Sequence, residues 1–395
     1  MSRTILHLDL DAFYCAVEET RNPALRGKAF AVGGRPDERG VVASCSYAAR
    51  RNGVRSAMPT SQALRLCLGL IIVSGHHRVY GEVSKQVMAR LHNLTGLVEQ
   101  ISIDEAFLDI SDIQDDAQRV ARGLQTRIRD ELHLPCSIGI ASNKLVAKIA
   151  TEVGKALALK RIKAQGLAEP PNAVTIVGFG EEAAFLKPLP ADMLWGVGPK
   201  TFARLNDLGI HTIGDIAKWP ESELIRLFGE NGRDLSRHAK GIDDRAIETG
   251  RETKSISQEI TFSRDVRDDK VLEKTVREQS IEVARQLRKN ELAGSTIKLK
   301  LRWPDFTTVT RQKTLGHRTD QEEEIMKAAL ELLKAIRKPN QYVRLIGVGV
   351  SGLGAPIRQL GLWGVDNEKS RKLQEAVDVL REKYGSEVIH RGEKE

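Results

Sequence analysis

At 395 residues the chain is too long for a single small module and implies about two to four packed units. Lysine and arginine number 61 against 53 acidic residues, a formal charge of +8 with an isoelectric point near 9.2; this favours a polyanionic partner but also fits a merely soluble basic protein. Four scattered cysteines, Cys15, Cys45, Cys67 and Cys136, show no paired Cys/His spacing, which argues against a zinc site or disulfide framework, and no run approaches the roughly 18 apolar residues of a membrane span. A reduced, cytoplasmic, membrane-free monomer is expected.

Taken in chain order, Thr4 to Leu10 alternates, with Leu6, Leu8 and Leu10 on one face and Ile5, His7 and Asp9 on the other, as a core strand would. A helix through Val17 follows, then short strands at Ala29 to Val32 and Val41 to Ala43, then helices carrying Tyr47 and Ala63. Residues 78–96 read as a helix, 98–110 as paired strands, 115–132 as an amphipathic helix and 136–141 as a strand leading into another helix. This order fits a ferredoxin-like α/β layer. The basic, then proline-containing stretch Lys155 to Pro171 reads as a loop, and short helices dominate from Pro188 to Ile242. Beyond a charged linker at 243–254 come strands at Ile256 to Phe262, Ile297 to Trp303, Thr307 to Thr314 and Leu345 to Ser351, with helices at 270–290 and 320–337 between them. The fold class is multidomain α+β.

The most informative segment is ISIDEAFLDI, residues 101–110, where Asp104 and Glu105 stand adjacent between two strand-like runs. Neighbours on a regular strand point to opposite faces, so both acids address one site only if the backbone turns there. Asp-Glu is poor chemistry for a tight two-residue hairpin, which suggests selection for the acids themselves. Asp9 ends its own strand and supplies a third carboxylate. Hard oxygen ligands of this kind suit Mg²⁺, yet by spacing alone such acids in strands are more often solvated or salt-bridged, and Asp11 and Asp109, in similar patterns, are left as structural.

LDLDAFYCAVEE, residues 8–19, together with SIDEAFLDIS, residues 102–111, resembles the two signature motifs of the Y-family (translesion) DNA polymerases of the bacterial DNA polymerase IV type. The resemblance spans residues 4–363. It implies a right-hand arrangement with a ferredoxin-like palm at 1–10 and 78–187, small fingers at 11–77, a helical thumb at 188–242, a linker at 243–254, an α/β little finger at 255–356 and a C-terminal extension at 357–395. It also implies template-directed addition of deoxynucleotides to a primer 3′-hydroxyl with release of pyrophosphate. Asp9, Asp104, Glu105 and the carbonyl of Leu10 would hold two Mg²⁺ ions, with Mn²⁺ as a possible replacement.

For the incoming nucleotide, Tyr14 matches the family's steric gate, which excludes a ribose 2′-hydroxyl by bulk; its bland alternative is aromatic packing beside Phe13. Tyr47 and Arg50 in SYAARRNGVRSAMP lie three apart, on one face of a helix turn, where a phenol and a guanidinium fork suit phosphate oxygens. The resemblance assigns both to the triphosphate, whereas sequence alone reads Arg50, Arg51 and Arg55 as a solvated basic face. It assigns Lys155 there as well, although Ala156 follows where the family usually has proline.

LWGVGPKTFARLNDLGI, residues 194–210, lacks a Walker loop's spacing and looks like a helix-hairpin-helix, in which Gly196, Gly198 and Lys200 would face a DNA phosphate. A plain helix hairpin is the alternative. Lys298, Lys300 and Arg302 alternate with apolar residues, and Arg311 and Lys313 repeat the pattern on the next strand, so a basic sheet face is expected on primer–template DNA. Solvated strands have the same pattern. QLGLW places Gln359, Leu360, Leu362 and Trp363 in what resembles a sliding-clamp peptide, or a tether packed on its own domain. The tail 367–392 reads as an amphipathic helix. Two rivals stay open: a nucleotidyl cyclase, which also uses paired acids on a ferredoxin-like sheet, and a non-catalytic DNA- or clamp-binding paralogue.

Overall fold

The computed structural model describes residues 3–250, 252–338 and 340–356, together with 376, 377 and 380. Two units separate between residues 251 and 252. Residues 359–363, the clamp-like segment, and nearly all of the tail lie outside the described residues.

The first unit begins with β1 (Ile5–Leu10) and α1 (Phe13–Arg21). A small sheet follows, made of β2 (Phe30–Gly33), β3 (Val42–Cys45) and, beyond α2 (Tyr47–Arg51) and α3 (Thr60–Leu66), β4 (Ile71–Val73). Then come α4 (His77–His92), β5 (Val98–Gln100), β6 (Glu105–Asp109), α5 (Ala117–Leu132), β7 (Cys136–Ala141), α6 (Lys144–Ala164) and β8 (Val174–Ile176). Their strands pair in the order β5-β6-β1-β7-β8. The first four run antiparallel in ferredoxin-like order, and β8 adds a parallel edge beside β7.

Alternation along β1 decides what each face of this sheet carries. Leu6, Leu8 and Leu10 are buried with Val87, Leu91, Leu124 and Ile128 of α4 and α5. The opposite face, with Ile5, His7 and Asp9, is covered by α6. Because strand-paired residues share a face, the register Asp9↔Glu105 and His7↔Phe107 puts both acids on the α6 side. Gly139 of β7 lets α6 sit close: a Cβ there would stand 2.0 Å from the carbonyl oxygen of Ala147.

The stretch read as a loop from Lys155 instead continues α6 to Ala164, and Asn143 caps the start of this helix by accepting from the Val146 N–H. Alanine, leucine and lysine dominate 155–164 and are strong helix formers, so the basic run prolongs the helix and Gly166, at φ +77°, follows its end.

Five helices complete this unit: α7 (Glu182–Leu186), α8 (Pro199–Asp207), α9 (Ile213–Lys218), α10 (Glu221–Phe228) and α11 (Glu230–Ala239). Leu186, Leu205, Ile213, Ile216 and Leu224 form their shared core. Buried Asp243 ties the following strap to α6 by accepting from the Leu145 N–H at 3.1 Å, and Arg245 grips the same carboxylate at 2.7 and 2.8 Å.

In the second unit, β9 (Ser255–Val266), α12 (Asp269–Lys289), β10 (Ala293–Arg302), β11 (Thr308–Thr319), α13 (Glu322–Ile336) and β12 (Val343–Gly354) build a sheet of order β11-β10-β12-β9 with both helices on one side. Ile297, Leu299 and Leu301 of β10 point into that helix-covered core. Among the described residues, no helix is long and apolar enough to cross a membrane.

Candidate active site

The C-terminal end of β1 and the bend before β6 meet at the floor of a cavity of about 500 Å³. Asp9, Asp104, Tyr14, Tyr47, Arg50 and Lys155 all line it. The volume falls within the range of small-ligand pockets.

Local hydrogen bonds explain how two adjacent acids reach this place. The Ser102 hydroxyl accepts from the backbone N–H groups of Asp104 and Glu105 at 3.2 and 3.1 Å and donates to the Asp104 carboxylate at 2.5 Å. The turn therefore draws its chemistry from serine two residues earlier, and a glycine or asparagine is unnecessary. Asp104 projects from the bend, while Glu105 is the first residue of β6 and pairs with Asp9. The Leu10 N–H is held by the Asp104 carbonyl at 3.0 Å.

Each acid has a neighbour. Lys155 stands 2.6 Å from Asp9, Lys148 stands 2.6 Å from Glu105, and Asp104 takes the Ser102 hydroxyl. Among the described residues, no three acidic, histidine or cysteine side chains are gathered closely enough to hold a metal ion as they stand. The expected convergence is thus partial: Asp9 and Glu105 share a face and Asp104 shares the cavity with Asp9, but lysines neutralise two of the three. The donor set still suits a hard divalent cation, since it offers carboxylate oxygens at adjacent sheet positions in a partly buried floor.

Electrostatics follow from this arrangement. Burial pushes the Asp9 carboxyl up to about 7, opposed mainly by Lys155. Burial works against the Lys155 cation, but Asp9 and Glu152 outweigh it and hold its pKa above the usual lysine value. Asp11 is raised to about 6, again by burial, and its carboxylate is taken up by the Ser137 hydroxyl at 3.0 Å and the Asn172 N–H at 3.1 Å. Those bonds fit its reading as structural. Asp109 accepts from Ser111 in the same structural way.

Arg50 lies over the Tyr47 ring, 4.8 Å from its centroid, and donates through Nε to the Cys45 carbonyl. Tyr14 stacks on Tyr80 at 4.3 Å and 14°. Lys148 and Tyr80 had no place in the sequence reading. The signal for Lys148 was available: Lys144, Lys148, Thr151 and Lys155 follow a 4-3-4 spacing, one stripe of α6 facing Glu99, Glu105, His7 and Asp9.

Gly196 lies at φ +103° and Gly198 is the N-cap of α8, with exposed Lys200 in its first turn. In the second unit the strand register separates the expected basic cluster. Lys298, Lys300 and Arg302 point to the open face, opposite Gln312, Thr310 and Thr308, whereas Arg311 and Lys313 pair with Leu299 and Ile297 and so belong to the helix side. There Lys313 is paired with Glu331 of α13. The single basic face expected from both strands is therefore confined to β10, because the hairpin register offsets the two alternations by one residue. On the open face, Lys300 also pairs with Glu259 at 2.7 Å.

Comparison with known proteins agrees with this geometry. The impB/mucB/samB family matches residues 8–152, and the C-terminal domain of the same family matches residues 253–362. A DNA polymerase IV of Listeria innocua is 39% identical over 355 residues, covering 89% of this chain and 96% of the relative. A DNA polymerase IV of Dehalococcoides mccartyi is 39% identical over 396 residues, covering 99% and 97%. Among solved structures, a Y-family DNA polymerase chimera of Dbh and Dpo4 matches with a TM-score of 0.77 at 25% identity, covering 89% of this chain and 99% of the chimera. An insertion ternary complex of Dbh DNA polymerase matches with a TM-score of 0.62 at 25% identity, covering 89% and 99%. The chain belongs to the impB/mucB/samB family, the Y-family DNA polymerases, in the branch of DNA polymerase IV.

Proposed function

We propose that the cavity over Asp9 and Asp104 is where this translesion DNA-dependent DNA polymerase binds a deoxynucleoside triphosphate and joins it to a primer 3′-hydroxyl, releasing pyrophosphate. The observation that carries the reading is the meeting of the Asp9 and Asp104 carboxylates with Tyr14, Tyr47, Arg50 and Lys155 in the lining of one cavity.

Asp9, Asp104, Glu105 and the Leu10 carbonyl would hold two Mg²⁺ ions, for which Mn²⁺ can substitute. When bound, such a pair activates an attacking hydroxyl and stabilises the leaving oxygen of an in-line displacement. Arg50 offers the triphosphate a planar fork of donors, oriented by its contacts with Tyr47 and Cys45. Lys155 pairs with Asp9 at 2.6 Å, and each would be free to serve a phosphate or a cation, respectively, when these bind. Tyr14 bars a ribose 2′-hydroxyl by bulk. These residues contribute positioning and charge neutralisation, the larger part of catalysis in phosphoryl transfer.

In the same reading, 1–10 with 78–187 form the palm, 11–77 the fingers, 188–242 the thumb and 255–356 the little finger. Gly196, Gly198 and Lys200 meet one stretch of primer–template backbone, and Lys298, Lys300 and Arg302 meet another. A sliding clamp binds the segment around Gln359, and the protein works as a cytoplasmic monomer. The four cysteines, all buried and free, support a reduced compartment.

The test is extension of a labelled primer on a DNA template with Mg²⁺ and deoxynucleotides, comparing wild type with Asp104→Ala. Extension by wild type and a loss of at least about a hundredfold in the variant are expected. Salt-sensitive DNA binding without extension across metals and templates would instead point to a binding paralogue, and a cyclic product made without DNA would point to a cyclase.

A further inference from the structure

The aromatic side of the cavity is held by a clamp that the proposed chemistry does not use. Tyr80 of α4 is fully buried. Its ring lies flat beneath Tyr14, 4.3 Å away at 14°, and its hydroxyl donates to Glu18 Oε1 at 2.6 Å. Tyr14 and Glu18 stand four residues apart on α1 and so share one helix face. Tyr80 is therefore fixed to that face at both ends, by its ring and by its hydroxyl.

Glu18 is itself immobilised. Its side chain is 4% exposed, Arg21 donates to Oε2 at 2.9 Å, and His76 Nδ1 lies 2.8 Å from Oε1. A carboxylate in such surroundings stays ordered because each oxygen has a polar partner. Phe13 and His77 close the sides of the stack: Phe13 is 5.7 Å from Tyr14 and 6.4 Å from Tyr80, and His77 meets both tyrosines edge-on at 6.0 and 5.8 Å.

We propose that Tyr80, locked by Glu18, is the positioning residue that fixes the Tyr14 ring and thereby sets how strictly ribonucleotides are excluded. The proposal rests on the reading of Tyr14 as the sugar gate. Exclusion by bulk is only as strict as the wall is immobile: a ring free to recede by a fraction of an ångström admits the extra hydroxyl. Tyr80 blocks that retreat from behind, and the Glu18 bond keeps Tyr80 from turning out of the stack. Neither residue lines the cavity, so their effect passes through Tyr14.

The experiment measures kcat/KM for a deoxynucleotide and for the matching ribonucleotide with wild type, Tyr14→Ala, Tyr80→Leu, Tyr80→Phe and Glu18→Ala. Thermal melting of each variant identifies those that are merely unstable, which lower both values together. Tyr14→Ala is expected to abolish most of the discrimination. Tyr80→Leu should reduce the ratio about tenfold or more by raising ribonucleotide kcat/KM. Tyr80→Phe, which keeps the stacked ring but loses the tether, and Glu18→Ala should give matching, smaller reductions. Loss of discrimination in Tyr14→Ala with wild-type ratios in Tyr80→Leu and Tyr80→Phe overturns the inference while leaving the gate intact. Undiminished discrimination in Tyr14→Ala overturns the gate, and the inference with it.

Discussion

Gly139→Ala tests whether the closeness of α6 to the sheet holds the site together. A Cβ at Gly139 would lie 2.0 Å from the Ala147 carbonyl oxygen and 2.6 Å from both the backbone nitrogen and the hydroxyl of Thr151, all on α6 or its facing side chain. Ordinary contact begins at 3.4 Å, so helix and strand must part by about 1.4 Å. That displacement exceeds what the Lys148–Glu105 and Lys155–Asp9 pairs, both at 2.6 Å, can absorb without lengthening towards 4 Å. Overpacking of this kind costs about 1–3 kcal/mol, and the collision with backbone places Gly139→Ala at or above the upper end. Urea unfolding should show a midpoint lowered accordingly, and primer extension should fall by at least about tenfold under conditions where the variant is folded, because a shift of about 1 Å in a positioning element is felt in the rate. A variant with the wild-type midpoint and undiminished extension would refute the reasoning and mean that α6 has slack above β7.

Two other perturbations follow from the site and from the second sheet. Because burial raises Asp9 to about 7, its ionised form is lost as pH falls through that value, so extension at limiting Mg²⁺ should decline below about pH 7; Lys155→Met removes the main opposing influence and should move that decline to higher pH. The stability sign runs the other way: a carboxyl raised in the folded state favours folding below its ordinary value of 3.8 and loses that contribution as pH rises to about 7, so Asp9→Asn should flatten unfolding free energy over this window. On the C-terminal sheet, Lys298→Ala and Arg302→Ala should each reduce the salt dependence of DNA binding by about one unit of log–log slope, while Arg311→Ala and Lys313→Ala, on the helix side, should leave the slope unchanged. Equal effects from both pairs, measured by fluorescence anisotropy across a salt series, would contradict the assignment of faces.

Local pattern and chemistry were enough for much of this protein. Alternation in Ile5–Leu10 showed a core strand with its acid at the end, and the order of helices and strands around it implied the ferredoxin-like layer that the sheet adopts. Two long motifs sufficed to indicate the family. Asp9, Asp104, Tyr14, Tyr47, Arg50 and Lys155 were singled out through the family resemblance of their segments, since their residue types alone also suit packing, solvated faces and salt bridges; all six line one cavity. What remained hidden depends on register and on distant partners. Composition made 155–171 look like a loop, since basic runs suit solvent and helix alike; the alanines, leucines and lysines of 155–164 carry α6 on to Ala164, although no residue of that helix past Gly154 is buried. Arg311 and Lys313 alternate just as Lys298 and Lys300 do, and only the pairing of β10 with β11 put them on opposite faces. Lysines 148 and 155 meet Glu105 and Asp9 across 43 and 146 residues of chain, a separation that local sequence does not encode. The tyrosine stack has the same origin: Tyr80 reaches Glu18 across 62 residues because α1 and α4 pack on the same side of the sheet.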